Sequence, residues 1–243
     1  MAFRANRHGA QYGEVNVSML TLVVVAHPDD EVLGFGGAGM QLVAAGETVQ
    51  PVILCGNVDA RKQRPGDSDL REDISRANAR LGFASPVLGD FPNIRMNTVP
   101  HIDIVQFIER QIQAFHPTRI VTHHPSDLND DHLHVSRGCA AAARLFQRQP
   151  AVPALQCFAY MEIPSSTDWA MLGQADAFQP NSFVEIGDVI DAKLEALGMY
   201  RGVMRPYPHP RSSEAIRGLA AYRGGQAGMK MAEAFQTVFR AGL

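Results

Sequence analysis

The chain has 243 residues, 46% of them hydrophobic and 19% charged, with a formal net charge of -3. That length suits one α/β domain with a sizeable core, and the charge excludes a basic nucleic-acid-binding surface. No segment approaches the ~20 apolar residues of a membrane-spanning helix, so no transmembrane segment is expected.

Residues 1–16, MAFRANRHGAQYGEVN, lack the apolar stretch of a secretory signal and read as a loose arm. Cys55, Cys139 and Cys157 are widely spaced and form no CxxC, as expected of separate thiols in a reducing cytoplasm.

An apolar strand is expected over 19–26. It runs into His27, Asp29, Asp30 and Glu31, then into a glycine-rich turn at Gly34, Gly36 and Gly37, with a helix over 36–46. A second strand follows at 49–55, and then a polar loop over 56–69 that carries Arg61, Lys62 and Arg64. Ser68 or Asp69 caps the next helix, which stops at Gly82. A short strand at 86–88 and an irregular stretch at 91–100 lead to a helix over Ile102–Phe115, whose apolar positions keep a helical period. The short strand 119–122 again runs into polar residues, His123, His124, Asp127, Asp130, Asp131, His132 and His134.

A helix over 135–146, a strand over 155–162, a loop over 164–169 and a strand over 184–186 come next. The helix over 190–200 is expected to point Lys193 and Glu195 outward. A proline-stiffened loop, 206–212, precedes a final helix running to about residue 238, bent or interrupted at Gly224–Gly225. Met229, Met231 and Phe235 on that helix would be core or subunit contact, which leaves room for a homo-oligomer. The alternation of strands and helices predicts a Rossmann-like three-layer sandwich with a mostly parallel sheet. Ligands of such sheets sit outside the carboxyl ends of the strands, where both polar clusters fall.

Imidazole nitrogen and carboxylate oxygen suit zinc and other first-row divalent ions. A catalytic zinc site has three protein ligands and an open position. The first cluster offers two ligands, one of its two adjacent carboxylates binding the ion while the other faces the metal-bound water, and the second cluster supplies the third from His132 or His134. Bound metal lowers the pKa of water from ~15.7 towards ~7. The competing reading of HPDDE is a helix N-cap turn with His27 merely packed. His134 falls on the flank of the following helix, and His123 and His124 read as outer partners of the ligands or as solvent-facing.

AHPDDE after an apolar strand, with a later DxxxDH at 127–132, resembles the PIG-L/LmbE-like zinc-dependent N-deacetylases. The same resemblance includes ARLGF (79–83), THHPSDLNDDH (122–132), EIPSSTDW (162–169), PHPRS (208–212), YRG (222–224) and AEAF (232–235). It implies hydrolysis of an N-acetyl group from an amino-sugar conjugate, with His27, Asp30 and His132 as zinc ligands. Asp29 matches the general base that serves the attacking water and then the leaving amine. Asp131 would orient a ligand histidine, and Arg71 would contact substrate.

One position departs from the pattern. Several members carry HPDH, with a histidine three residues before the metal histidine, where this chain has Asn129. An Asn129 amide could stabilise the oxyanion instead, or His209 from the PHPR loop could swing over the site, with Arg211 beside it binding substrate. Glu31 reads as a structural partner for a backbone amide or an arginine, and Asp127 as the anchor of an Asx-turn. Tyr160 and Trp169 are candidates for a sugar-stacking wall, with core packing the simpler role for Tyr160.

Two readings compete with catalysis. GFGG on a doubly wound sheet suggests a nucleotide-binding module, but it lacks the GxGxxG order. The other is a metal-binding scaffold without activity.

Overall fold

The computed structural model describes residues 19–56, 67–170 and 176–242. The arm at 1–16 and the basic residues Arg61, Lys62 and Arg64 lie outside the described residues.

The strands are β1 (Leu20–Val25), β2 (Thr48–Ile53), β3 (Val87–Leu88), β4 (Arg119–His123), β5 (Cys157–Met161), β6 (Ser182–Glu185) and β7 (Ala232–Arg240). They form one sheet in the order β3-β2-β1-β4-β5-β7-β6. The first five strands run parallel, and β7 is antiparallel to both β5 and β6. The helices are α1 (Asp30–Ala44), α2 (Asp67–Leu81), α3 (His101–Phe115), α4 (Asp130–Ala142), α5 (Ile190–Met199) and α6 (Ser213–Ala227).

The period-2 geometry of β1 divides its side chains between two cores. Val23 and Val25 pack with α1, α2, α5 and α6, while Leu22, Val24 and Ala26 pack with α3 and α4. This is the expected three-layer arrangement. The strand order turns between β1 and β4, which pair in parallel register from Thr21↔Arg119 to Val24↔Thr122. Their carboxyl ends are therefore neighbours, and His27 and His123 emerge side by side.

Several expectations need correction. The helix after β1 begins at Asp30, so the glycines at 34, 36 and 37 lie inside buried helix and make no turn. They permit close packing: a Cβ on Gly34 would meet Met161 Sδ at 2.6 Å, and one on Gly37 would meet Ile186 Cγ2 at 2.6 Å. The second polar cluster likewise starts a helix, since α4 begins at Asp130 and not at Val135.

Lys193 points inward. It is 4% exposed, with Nζ 2.7 Å from Glu233 Oε1 and donating to the Leu33 carbonyl at 2.8 Å. The Glu233 carboxylate in turn accepts the α1 amides of Gly37 and Ala38, both at 2.8 Å. Those amides are engaged by a side chain, which also removes the glycine stretch as a phosphate cradle. Finally, the last stretch is not one helix. α6 ends at Gly228, which has φ 72°, and residues 232–240 are the antiparallel strand β7. Its Phe235 is buried and edge-on to Phe35 at 5.6 Å between ring centroids.

Candidate metal centre

His27 leaves the end of β1, Asp30 is the first residue of α1, and His132 lies in the first turn of α4. All three are buried. His27 Nδ1 lies 3.3 Å from His132 Nε2 and 3.3 Å from Asp30 Oδ2, and His132 Nε2 lies 3.1 Å from Asp30 Oδ2. A tetrahedral ion with bonds of about 2.0–2.1 Å has ligand-to-ligand edges of about 3.3 Å, so this triangle matches one face of such a site.

The outer contacts agree with that geometry. His27 Nε2 faces Asp131 Oδ2 at 2.9 Å. The Asp131 carboxylate also accepts the amides of Ile94 and Met96, at 2.6 and 2.9 Å. His132 Nδ1 faces Asp127 Oδ2 at 3.1 Å. With each ring's outer nitrogen beside a carboxylate, both inner nitrogens converge on Asp30, an arrangement typical of metal-ligating histidines. Asp30 Oδ1 is buried without a hydrogen-bond partner, an orphaned acceptor beside the two converging imidazole nitrogens. A divalent cation fits this donor set.

Electrostatics point the same way. Burial drives the His132 pKa down, but Asp30 and Asp127 outweigh it and carry the imidazole up to about 10. Burial drives Asp30 up, and His132 and His27 overcome it to hold the carboxyl well below its usual range. The cluster holds a positive charge where a metal ion would supply one. His123 behaves differently: burial brings it down to about 3, so it is neutral. Its Nε2 accepts the Ala26 amide at 2.8 Å, and its ring stacks on His132 at 3.8 Å between centroids. It backs His132 and does not face solvent. His124 is equally buried, edge-on to Tyr160 and Phe178.

Asp29 immediately precedes α1, yet its side chain makes no capping hydrogen bond, and its φ is 102°. The N-cap alternative for HPDDE therefore fails for this residue. A non-glycine residue in such backbone conformations carries a strain of about 1–3 kcal/mol. Arg211 Nη1 donates to Asp29 Oδ2 at 3.0 Å, and its Nε donates to Ser165 Oγ at 2.8 Å. This one guanidinium joins the PHPRS and EIPSSTDW motifs to Asp29.

The EIPSSTDW turn also grips Asp127. Ser166 Oγ donates to its Oδ1 and Thr167 Oγ1 to its Oδ2, the latter at 2.8 Å. The Asx-turn is present as well, since Asn129 N donates to Asp127 Oδ1 at 3.0 Å. Sequence reasoning assigned Asp127 that turn alone and missed its alignment with His132. The one available signal was its place at the head of DxxxDH.

The remaining candidates are more scattered. Asn129 is the N-cap of α4, its Oδ1 accepting the Asp131 amide at 3.0 Å. His209 is exposed, with Nδ1 accepting the Arg211 amide at 3.0 Å. Arg71 is exposed on α2 and lines a separate groove of 220 Å³ with Ser75, Phe83 and Leu88. Trp169 is exposed, whereas Tyr160 packs edge-on against Phe158.

A mostly parallel sheet carrying a buried His/Asp cluster at the carboxyl ends of its central strands has the build of an α/β enzyme with a metal-binding centre. The chain belongs to the PIG-L family: the GlcNAc-PI de-N-acetylase family model matches residues 22–143, half of its length. That places it among the deacetylases, hydrolases of an amide bond.

No curated protein matches the sequence. Among solved structures, the chain is similar to the conserved protein TT1542 from Thermus thermophilus, with 22% identity, 93% of this chain and 97% of that one covered, and a TM-score of 0.75. It is also similar to N,N'-diacetylchitobiose deacetylase from Pyrococcus horikoshii, with 17% identity, coverage of 90% and 83%, and a TM-score of 0.73. A third is GalB, the 4-carboxy-2-hydroxymuconate hydratase from Pseudomonas putida, with 22% identity, coverage of 93% and 98%, and a TM-score of 0.72. At these identities the likeness shows the fold. No helix among the described residues is long and apolar enough to cross a membrane.

Proposed function

We propose that the protein is a zinc-dependent N-deacetylase, working as one catalytic domain, that removes the acetyl group from an N-acetylglucosamine-like amino-sugar conjugate. The observation that carries this reading is the triangle of His27 Nδ1, Asp30 Oδ2 and His132 Nε2, with edges of 3.1–3.3 Å and a carboxylate beside the outer nitrogen of each ring. His27, Asp30 and His132 would hold the ion. When bound, zinc or another divalent ion acidifies water and polarises the amide carbonyl.

The chain's own residues do the rest. Asp29, relieved of capping duty, accepts the proton of the attacking water at its carboxylate and returns it to the leaving nitrogen. Arg211, whose Nη1 donates to Asp29 Oδ2 at 3.0 Å, holds that carboxylate in place and presents guanidinium edge to substrate. The Asn129 amide nitrogen and the His209 imidazole are the two candidate donors for the oxyanion. Asn129 has the better support, because its side chain is fixed by its Oδ1 cap on α4. Arg71, on its separate groove, would meet only a distal part of the conjugate.

Metal analysis of the purified protein, together with amine release from N-acetylglucosamine derivatives, tests the reading. Bound zinc in near one-to-one ratio and zinc-dependent amine release are expected; a folded, chelator-free preparation without metal would sink it. The fold alone does not separate hydrolysis from hydration, since one similar structure is a hydratase. The same preparation offered 4-carboxy-2-hydroxymuconate should leave it unchanged.

A further inference from the structure

Asp29 is pinned through its backbone at both ends. Its N–H donates to Glu31 Oε2 at 3.1 Å. Its carbonyl accepts the amides of Val32 and Leu33 at 3.1 and 2.9 Å. The second set is ordinary for a helix start; the first is not, because a side chain two residues on holds the peptide where φ is 102°.

Glu31 is itself held from outside the motif. It is fully buried, and its Oε1 accepts the Tyr200 hydroxyl and, at 3.0 Å, the Asn78 side-chain amide. Asn78 is steadied by the Ile74 carbonyl at 2.9 Å, and its Nδ2 lies 3.4 Å from the Tyr200 oxygen. Tyr200, at the C-terminal end of α5, is 2% exposed, and Asn78 on α2 is 1% exposed. Three helices thus converge on one carboxylate whose free oxygen grips the strained peptide. A strained residue persists only where its surroundings over-determine it, and here the surroundings are a buried polar socket of Glu31, Asn78 and Tyr200.

We propose that Tyr200 and Asn78 are positioning residues for the reaction: by fixing Glu31 they hold Asp29 at positive φ and so aim its carboxylate. The direction of Cα–Cβ follows φ, so relaxation to the ordinary negative region swings the carboxylate off Arg211 and out of line. The proposal rests on the reading of Asp29 as the base, but the geometric half of it is independent of that reading.

The test uses the full chain and Tyr200→Phe, which removes one hydroxyl from an otherwise unchanged ring. Hydrogen exchange at the Asp29 amide, followed by NMR in metal-free protein, is expected to quicken about tenfold, the worth of one hydrogen bond. With zinc restored, kcat on an N-acetylglucosamine derivative is expected to fall about tenfold while KM and zinc stoichiometry stay within twofold. On an Asp29→Asn background the same change should add no further loss in kcat.

Unchanged exchange at Asp29 overturns the proposal whatever the activity. So does a raised KM with kcat intact, or a loss that adds fully to that of Asp29→Asn. If Asp29→Asn alone retains turnover, the base assignment fails, and the exchange measurement still decides whether the socket holds the peptide. Should Tyr200→Phe not fold, Asn78→Ser provides the same readouts from the other wall of the socket.

Discussion

Asp131 Oδ2 lies 2.9 Å from His27 Nε2, and the same carboxylate holds the amides of Ile94 and Met96. Asp131 therefore ties the ring of His27 to the loop after β3 and settles which nitrogen keeps the proton. Asp131→Asn should leave the ring but loosen its tautomer and orientation, weakening zinc binding by about 10–100-fold. Competition against a chromogenic chelator reads this directly, and unaltered affinity would remove the role.

Asp29→Asn is expected to keep its metal and lose turnover by about 10²–10⁴-fold. Zinc content by elemental analysis and kcat on the same sample separate the two effects. Near-normal kcat would take the base from this position.

Zinc should stabilise the fold, because the triad is assembled only in the native state. At free zinc about 100-fold above Kd the gain is about 2.7 kcal/mol, or a rise in Tm of about 5–10 °C for a chain of this size. A thermal melt with and without chelator measures it, and a Tm indifferent to zinc would contradict the centre.

Glu31 gives the metal-free protein a pH dependence. Burial, opposed by its hydrogen bonds from Tyr200 and Asn78, raises its pKa from 4.5 to about 7. The folded state therefore binds a proton that the unfolded chain releases. This contribution to stability is complete below the unfolded value and is lost as pH climbs through the folded one, amounting to about 3 kcal/mol. Glu31→Gln cannot titrate. The stability of the native chain relative to this variant, measured in chelator, should fall between about pH 5 and about pH 8. A constant or rising difference would show that Glu31 is ionised throughout.

The Lys193–Glu233 pair is buried on both sides, at 5% and 7% side-chain exposure. Glu233→Ala would strand the ammonium and the amides of Gly37 and Ala38, a loss of about 3–5 kcal/mol. A urea midpoint close to that of the native chain would mean that water reaches the gap.

The candidate metal centre is legible because each half of it follows an apolar strand. Nothing but chemistry explains why β1 should run into His27 and Asp30, or β4 into the stretch ending at His132. The partners of those residues were not legible. Asp127 looked like a turn residue because its Asx-turn with Asn129 is local, whereas its approach to His132 depends on how α4 leaves the strand. Lys193 was placed outside because a lone lysine on an amphipathic helix is normally solvated, and only the return of Glu233 in an antiparallel strand reverses that. That strand was itself misread as helix. The alanines and methionines of 227–234 have good helix propensity, and pairing with β5 and β6 overrides it. Likewise, the glycines of 34–37 look like a turn until Met161 and Ile186 are seen pressed against them.

The reach of Glu233 into α1 also bears on how the molecule comes into being. Gly37 is synthesised 196 residues before the carboxylate that accepts its amide. The helix that carries Asp30 can form early on the ribosome, but its buried amides wait for β7. Residues 22–143 hold every proposed ligand, yet they lack Ser166, Tyr200, Arg211 and Glu233. A fragment cut to that stretch would bring the proposed ligands without the clamps, so it is expected to bind metal more weakly than the full chain.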